Sequence, residues 1–146
     1  MSDHFENESV SVRIVDKCLI FVHNANAPSN DEWDRAMELF VRIGPTRACF
    51  LVWTEGGAPN SAQRAKLAKL TGESKTPIAV LSDSSLVRAA GTAIRWFNPQ
   101  IRIFPPTDIE GALVHLALDG AARTGARDAM TEMRTERARR PAAQTR

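Results

Sequence analysis

The 146-residue chain carries little from which a covalent framework or a metal centre could be built. Its two cysteines, Cys18 and Cys49, each lie inside an apolar strand-like run, where a free thiol behaves as a small buried hydrophobe. There is no Cys-x-x-Cys pair and no second Cys or His at metal-ligand spacing. A zinc site and a disulfide scaffold are therefore not expected, and a reducing compartment is. The first nine residues are polar and acidic, with neither a basic start nor an apolar centre, which predicts no signal peptide. No apolar run approaches the roughly 20 residues that a membrane-spanning helix needs. The expectation is a cytoplasmic protein with no membrane partner.

Large aliphatic residues are also missing from one end. From Ala121 to Arg146 no Leu, Ile, Val, Phe or Trp occurs, and Met130 and Met133 are the only large apolar side chains. Seven Arg face three acids there, a net of +4, whereas residues 1–120 hold twelve Lys/Arg against fourteen acids, a net of −2. Residues 121–146 thus read as a basic, Arg-rich tail, disordered or loosely helical, with too little to bury to be held in place. Its interspersed acids and lack of aromatics point away from nucleic acid as a partner and toward a solubilising or tethering role.

What is present is regular. After a disordered N-terminus at residues 1–9, Val10, Val12 and Ile14 alternate with polar residues and read as a half-buried strand. Cys18–His23 follows as a second strand, across a turn at Asp16-Lys17. Ser29-x-x-Glu32 is a capping box, and Trp33, Ala36, Met37, Phe40 and Val41 form the apolar stripe of the helix it opens. The run Ala48–Trp53 has the length and composition of a strand buried on both faces. Asn60 and Gln63 cap a second helix from Ser61. Pro77–Leu81 is a strand, Leu86–Phe97 a helix, Ile101–Phe104 a strand, and Thr107-x-x-Glu110 opens a last helix. Gly91, mid-helix, costs about 1 kcal/mol relative to Ala, which a close approach to the sheet would explain. Residues 10–120 therefore form an α/β domain: an N-terminal β-hairpin, then βα repeats, with a mostly parallel sheet of about 4–5 strands and about four helices.

This layout, with Thr54-Glu55-Gly56-Gly57-Ala58-Pro59-Asn60 and Gln63-Arg64, Val80-Leu81-Ser82-Asp83 with Val87-Arg88, and Trp96-Phe97-Asn98-Pro99, resembles the STAS fold of bacterial anti-sigma-factor antagonists and of sulfate-transporter C-terminal domains. It is most similar to the STAS/SEC14-like group of small bacterial proteins. The resemblance covers roughly residues 10–118. It implies a non-enzymatic protein-binding or regulatory module, with another protein, such as a kinase or regulatory factor, as partner. A homodimer stays open as an alternative. In antagonist-type members a kinase phosphorylates a Ser at the start of the helix after the third strand, in an Asp-Ser-[Ser/Thr]-Gly motif. That motif is absent here, and Ser61 is its positional analogue. The SEC14-like side of the resemblance implies the other reading, a small-ligand or lipid-binding domain with an apolar cavity of a few hundred Å³ near the strand ends.

The residues themselves mark the strand-to-helix turn at Glu55–Arg64 as the working surface, because open α/β sheets meet their partners at such turns. Gly56 and Gly57 are expected to expose backbone amides, next to Asn60, Ser61 and the cationic helix flank of Arg64 and Lys66. The Ser82–Ser85 loop is expected beside them. Trp96, at a helix end next to Phe97, is an exposed contact residue on this reading. Without Lys-[Ser/Thr] after the glycines the turn is no P-loop, and no cofactor is called for. The less favoured third reading is a small hydrolase. His23, Glu55 and Asp83 all end or follow predicted strands and would do acid–base work if they converged.

Overall fold

In the computed structural model, which describes residues 4–6, 9–44 and 47–139, six strands form one sheet in the order of the chain. They are β1 (His4–Glu6), β2 (Val10–Val15), β3 (Cys18–His23), β4 (Cys49–Thr54), β5 (Ile78–Leu81) and β6 (Ile101–Phe104). β1 to β3 pair antiparallel and β3 to β6 pair parallel. The α/β class, the leading hairpin and the mostly parallel sheet are as expected. The strand β1 is an addition, since it falls within the segment 1–9 expected to be disordered, the rest of which, Ser9 apart, lies outside the described residues. The hairpin turn works because Asp16 accepts a left-handed backbone (φ 57), which leaves Val15 directly opposite Cys18.

Among the described residues five helices accompany the sheet: α1 (Asn30–Ile43), α2 (Ser61–Gly72), α3 (Ser85–Arg95), α4 (Ile109–His115) and α5 (Gly120–Ala138). The Ser29–Glu32 and Asn60–Gln63 capping boxes are both formed. At α4 the cap is Asp108, not Thr107, with its carboxylate accepting from the Gly111 amide at 3.0 Å.

Sequential strand order decides where the helices go. Each parallel step crosses the sheet in the same direction, and right-handed crossovers then put every connecting helix on the same face. α1, α2 and α3 accordingly cover one face, burying Leu19, Phe21, Phe50, Ile78 and Val80 beneath Trp33, Phe40, Leu67 and Ile94. The alternate residues Cys18, Ile20, Val22, Cys49, Leu51, Ala79 and Leu81 face the other way and are also buried. Gly91 fits the close-approach reading, since a Cβ there would lie 2.9 Å from Cδ1 of Ile103.

The second face is where the expected tail is overturned. Residues 120–138 form one 19-residue helix, α5, which with α4 closes this face. Ala122, Ala126, Ala129, Met130 and Met133 recur along one side of it, at helical spacing. Small side chains let the helix lie close to the sheet, and a Cβ on Gly125 would sit 3.0 Å from Val15. Its arginines tie it down. Arg123 and Arg127 clasp Glu110 at 2.7 and 2.8 Å, Arg134 stacks 4.3 Å over the Trp53 ring, and Arg137 donates to the Ser11 hydroxyl at 2.9 Å. Residues 140–146 of the basic segment lie outside the described residues.

This arrangement makes α5 part of the domain. Met130→Ala is expected to lower stability by about 2–4 kcal/mol in urea unfolding, as for a buried Met cut to Ala. A chain ending at Leu118 should lose its cooperative thermal transition by circular dichroism. A truncated chain that melts like the full one would detach α5 from the fold.

Candidate functional site

The carboxyl ends of β3, β4 and β5 meet the loops leading to α1, α2 and α3 at one edge of the sheet. The order of that edge starts from Thr54, which is buried. Its hydroxyl donates to the Gly57 carbonyl at 3.0 Å and accepts from the Gly56 amide at 3.1 Å. The Glu55 amide donates to the His23 carbonyl and the Gly57 amide to the Asn24 carbonyl. Gly56 takes φ 136, a region that favours glycine. Gly57 is needed for room, because a Cβ would overlap the Asn26 carbonyl and lie 2.7 Å from that of Asn24.

These bonds correct the expected amide-lined turn. The Glu55, Gly56 and Gly57 amides point into the protein and are satisfied there, so the glycines offer no anion nest. The cationic flank is likewise engaged. Lys66 pairs with Asp34 of α1 at 2.6 Å, and the Arg64 guanidinium donates to the Pro59 carbonyl at 3.1 Å. Thr54, which organises the turn, was not singled out by sequence. A Thr ending an apolar strand just before two glycines was the available signal.

What the turn does expose is Glu55, Asn60 and Ser61. Ser61 is the first residue of α2, behind the Asn60 cap. The neighbouring loop stands where it was expected: a Cβ on Gly56 would come within 3.9 Å of the Ser84 hydroxyl. Ser84 is the cap of α3, accepting from the Val87 amide, while Asp83 is exposed and does not cap. Leu86, in the first turn of α3, is 65% exposed.

Trp96 does not join this group. It is 85% exposed, but it caps the far end of α3, where a Cβ on Gly72 would lie 2.9 Å from the Phe97 carbonyl. The 12 residues of α2 put that end roughly 18 Å from Ser61. The buried Asn98 holds this opposite corner together by donating to the Thr71 hydroxyl and the Thr76 carbonyl.

The acid–base set does not assemble either. Among the described residues no side-chain hydrogen bond or ion pair joins His23, Glu55 and Asp83, although the Glu55 amide meets the His23 carbonyl. Glu55 and Asp83 face solvent, whereas His23 is buried, stacked on Phe21 with ring centroids 6.0 Å apart. The charges acting on His23 are those of Glu32 and Arg137. The Glu32 carboxylate accepts from the Ser9 amide and hydroxyl and from the Ser29 amide. Burial alone would raise its pKa, but these bonds together hold it below the ordinary carboxylate range. Among the described residues no cluster of His, Cys, Asp and Glu could hold a metal ion, and no helix is long and apolar enough to cross a membrane.

Between the sheet and α1–α3 lies an apolar cavity of about 70 Å³. Phe21, Val52 and Val80 form its floor, Met37 and Ile94 part of its roof, and Thr54, Gly57 and Pro59 its end beneath the turn. His23 and Trp33 also line it, and the His23 Nδ1 and Trp33 Nε1 atoms are buried without a hydrogen-bond partner. Of the cavity expected on the ligand-binding reading, the place and the apolar character are found. The volume falls far short of a few hundred Å³ and is too small for a lipid chain.

Compared with known proteins, the chain matches no family model, no curated protein and no solved structure.

Burial, opposed by the Glu32 charge and aided by that of Arg137, pushes the His23 imidazole down to about 4. Between that value and 6.5 the unfolded chain binds a proton that the folded chain does not. Stability is therefore fully present above about pH 6.5 and is lost as pH falls toward 4, by up to about 3 kcal/mol. Urea unfolding at several pH values should show this slope, and His23→Leu should flatten it. Glu32, held below the ordinary range, adds its own loss of stability only at lower pH.

Proposed function

We propose that this chain is a non-enzymatic binding module of STAS-like layout that meets another protein at the carboxyl edge of its sheet. The observation that carries this reading is Leu86, 65% exposed in the first turn of α3, beside the exposed Asp83 and Ser85 in the loop that adjoins the turn exposing Glu55, Asn60 and Ser61. An apolar anchor inside a polar rim is the usual anatomy of a protein contact. Arg64 braces the turn through the Pro59 carbonyl, and the exposed Lys66 is held by Asp34 of α1. A phosphate on the exposed Ser61 would be favoured by the dipole and amides of the α2 start, so the same edge suits phosphorylation by a partner kinase. Cys18 and Cys49, opposite each other across β3 and β4, stand as free thiols, which suits a cytoplasmic setting.

The partner surface is tested by affinity capture from the native host with three variants. Leu86→Glu and Ser61→Arg should each reduce the captured partner about tenfold or more, while Trp96→Ala at the opposite edge leaves it within about twofold. If the partner is a second copy, light scattering should show a dimer that Leu86→Glu dissolves. Capture lost in Trp96→Ala but kept in Leu86→Glu would move the interface to the other edge.

A further inference from the structure

We propose that the edge of the sheet where the parallel strands begin, opposite Leu86, docks on an anionic lipid surface, with Trp96 and Phe97 entering the headgroup layer. The contact is peripheral. It needs no membrane-spanning segment, and it departs from the sequence expectation that no membrane is a partner. It stands whether or not a protein binds at the carboxyl edge.

The aromatics are the first observation. Trp96 and Phe97 follow the last turn of α3 and are 85% and 65% exposed. The backbone beneath them is fixed. The Phe97 and Asn98 amides donate to the Ile94 carbonyl, and the buried Asn98 side chain ties this corner to Thr71 and Thr76. The pair is therefore held outward by an ordered turn. Single exposed apolar residues are ordinary, but two adjacent bared aromatics mark a contact surface.

The second observation is the charge around them. α1, α2 and α3 all end at this edge, and the chain then enters β4, β5 and β6 side by side. There the Phe50 amide donates to the Pro77 carbonyl and the Ile78 amide to the Gln100 carbonyl. The helix ends and entry loops carry Arg47, Lys69, Lys75 and Arg95, all exposed and none in an ion pair among the described residues. Cations elsewhere are taken up: Arg13 by Glu132, Lys66 by Asp34, Arg123 and Arg127 by Glu110. The helix dipole accounts for Lys69 and Arg95, in the last turns of α2 and α3, but not for Arg47, Lys75 or the aromatics. Against these four cations stand Glu73 and Asp119, with the Asp16–Lys17 turn neutral as a pair, so the edge is net positive. The carboxyl edge, by contrast, exposes Glu55 and Asp83.

Together these features select the partner. Exposed Trp and Phe set among Lys and Arg have the composition of an interfacial membrane contact, in which the rings sit at headgroup depth and the cations meet anionic lipid. A protein partner would need a deep pocket shaped to a protruding Trp-Phe pair, whereas fluid lipid closes around it without one. A second copy set edge to edge would bring like charges together. A single-stranded nucleic acid needs a basic groove along which successive bases stack, but the depression beside Phe97 holds Glu73.

The test is co-sedimentation of the full chain with mixed phosphatidylcholine–phosphatidylserine vesicles, set against pure phosphatidylcholine. The chain should pellet with the mixed vesicles and not with the neutral ones, and added salt should release it. Trp96→Ala combined with Phe97→Ala should weaken binding about tenfold or more, and Lys69→Gln combined with Arg95→Gln about fivefold or more. All four side chains are exposed, so both variants should melt like the parent chain. Bromine-labelled lipid should quench the tryptophan fluorescence. Trp96→Phe should still pellet but lose that quenching, because Trp33 is buried and Trp53 lies beneath Arg134. The proposal is overturned if the chain ignores the mixed vesicles, if the double aromatic variant pellets like the parent, or if quenching survives Trp96→Phe. Vesicles left unbound while a single-stranded oligonucleotide quenches Trp96, or while Trp96→Ala dissolves a dimer in light scattering, would give the edge to that occupant instead.

Discussion

The structure depends on a sheet whose central strands are apolar on both faces while its connections can cover only one. β3, β4 and β5 each send alternate residues to opposite sides, and nearly all of them are buried. Because the strands follow one another across the sheet in chain order, the three right-handed crossovers fall on the same side. The other face has to be closed by whatever follows β6. That requirement turns a segment poor in large aliphatics into an essential helix. Ala126, Ala129, Met130 and Met133 suffice because the helix lies close enough for small side chains to fill the space.

The same accounting explains the carboxyl edge. A strand-to-helix turn in a crowded corner must satisfy its backbone amides, and here it does so inward, onto the His23 and Asn24 carbonyls and the Thr54 hydroxyl. Glycine at positions 56 and 57 therefore serves conformation and close packing rather than ligand recognition. The chemistry left for the outside is carried by side chains: a carboxylate, an amide, hydroxyls and the uncovered Leu86. An edge of that composition suits the protein contact proposed for it, with Glu55 and Asp83 facing solvent and His23 buried.

Beneath the turn, the layer between the sheet and α1–α3 combines dense apolar packing with two polar nitrogens that it does not satisfy. Leaving such an atom unpaired costs about 1–3 kcal/mol, a cost that Trp53 Nε1 on the other face carries as well. His23 is moreover kept neutral by its surroundings, so its imidazole is a hydrogen-bonding group rather than a charge. The corner that holds it is itself well ordered by Glu32, which joins Ser9 and Ser29.

Local signals in the sequence were enough to determine the elements: the alternation in β2, the apolar runs of β3, β4 and β5, and the caps at Ser29 and Asn60. Their order then determined an α/β sheet with a leading hairpin, because crossovers have one hand. The proposed STAS-like reading rests on that layout alone. Tertiary structure decided what depends on distance between remote residues. It turned the Gly56 and Gly57 amides inward, set Trp96 at the other end of α3 from Leu86, and buried His23 while the acids it was grouped with face solvent. It also decided the fate of residues 120–138, whose helical spacing was legible but whose value depended on an uncovered face. Composition records how much a segment can bury. Only the fold shows whether a surface is waiting for it.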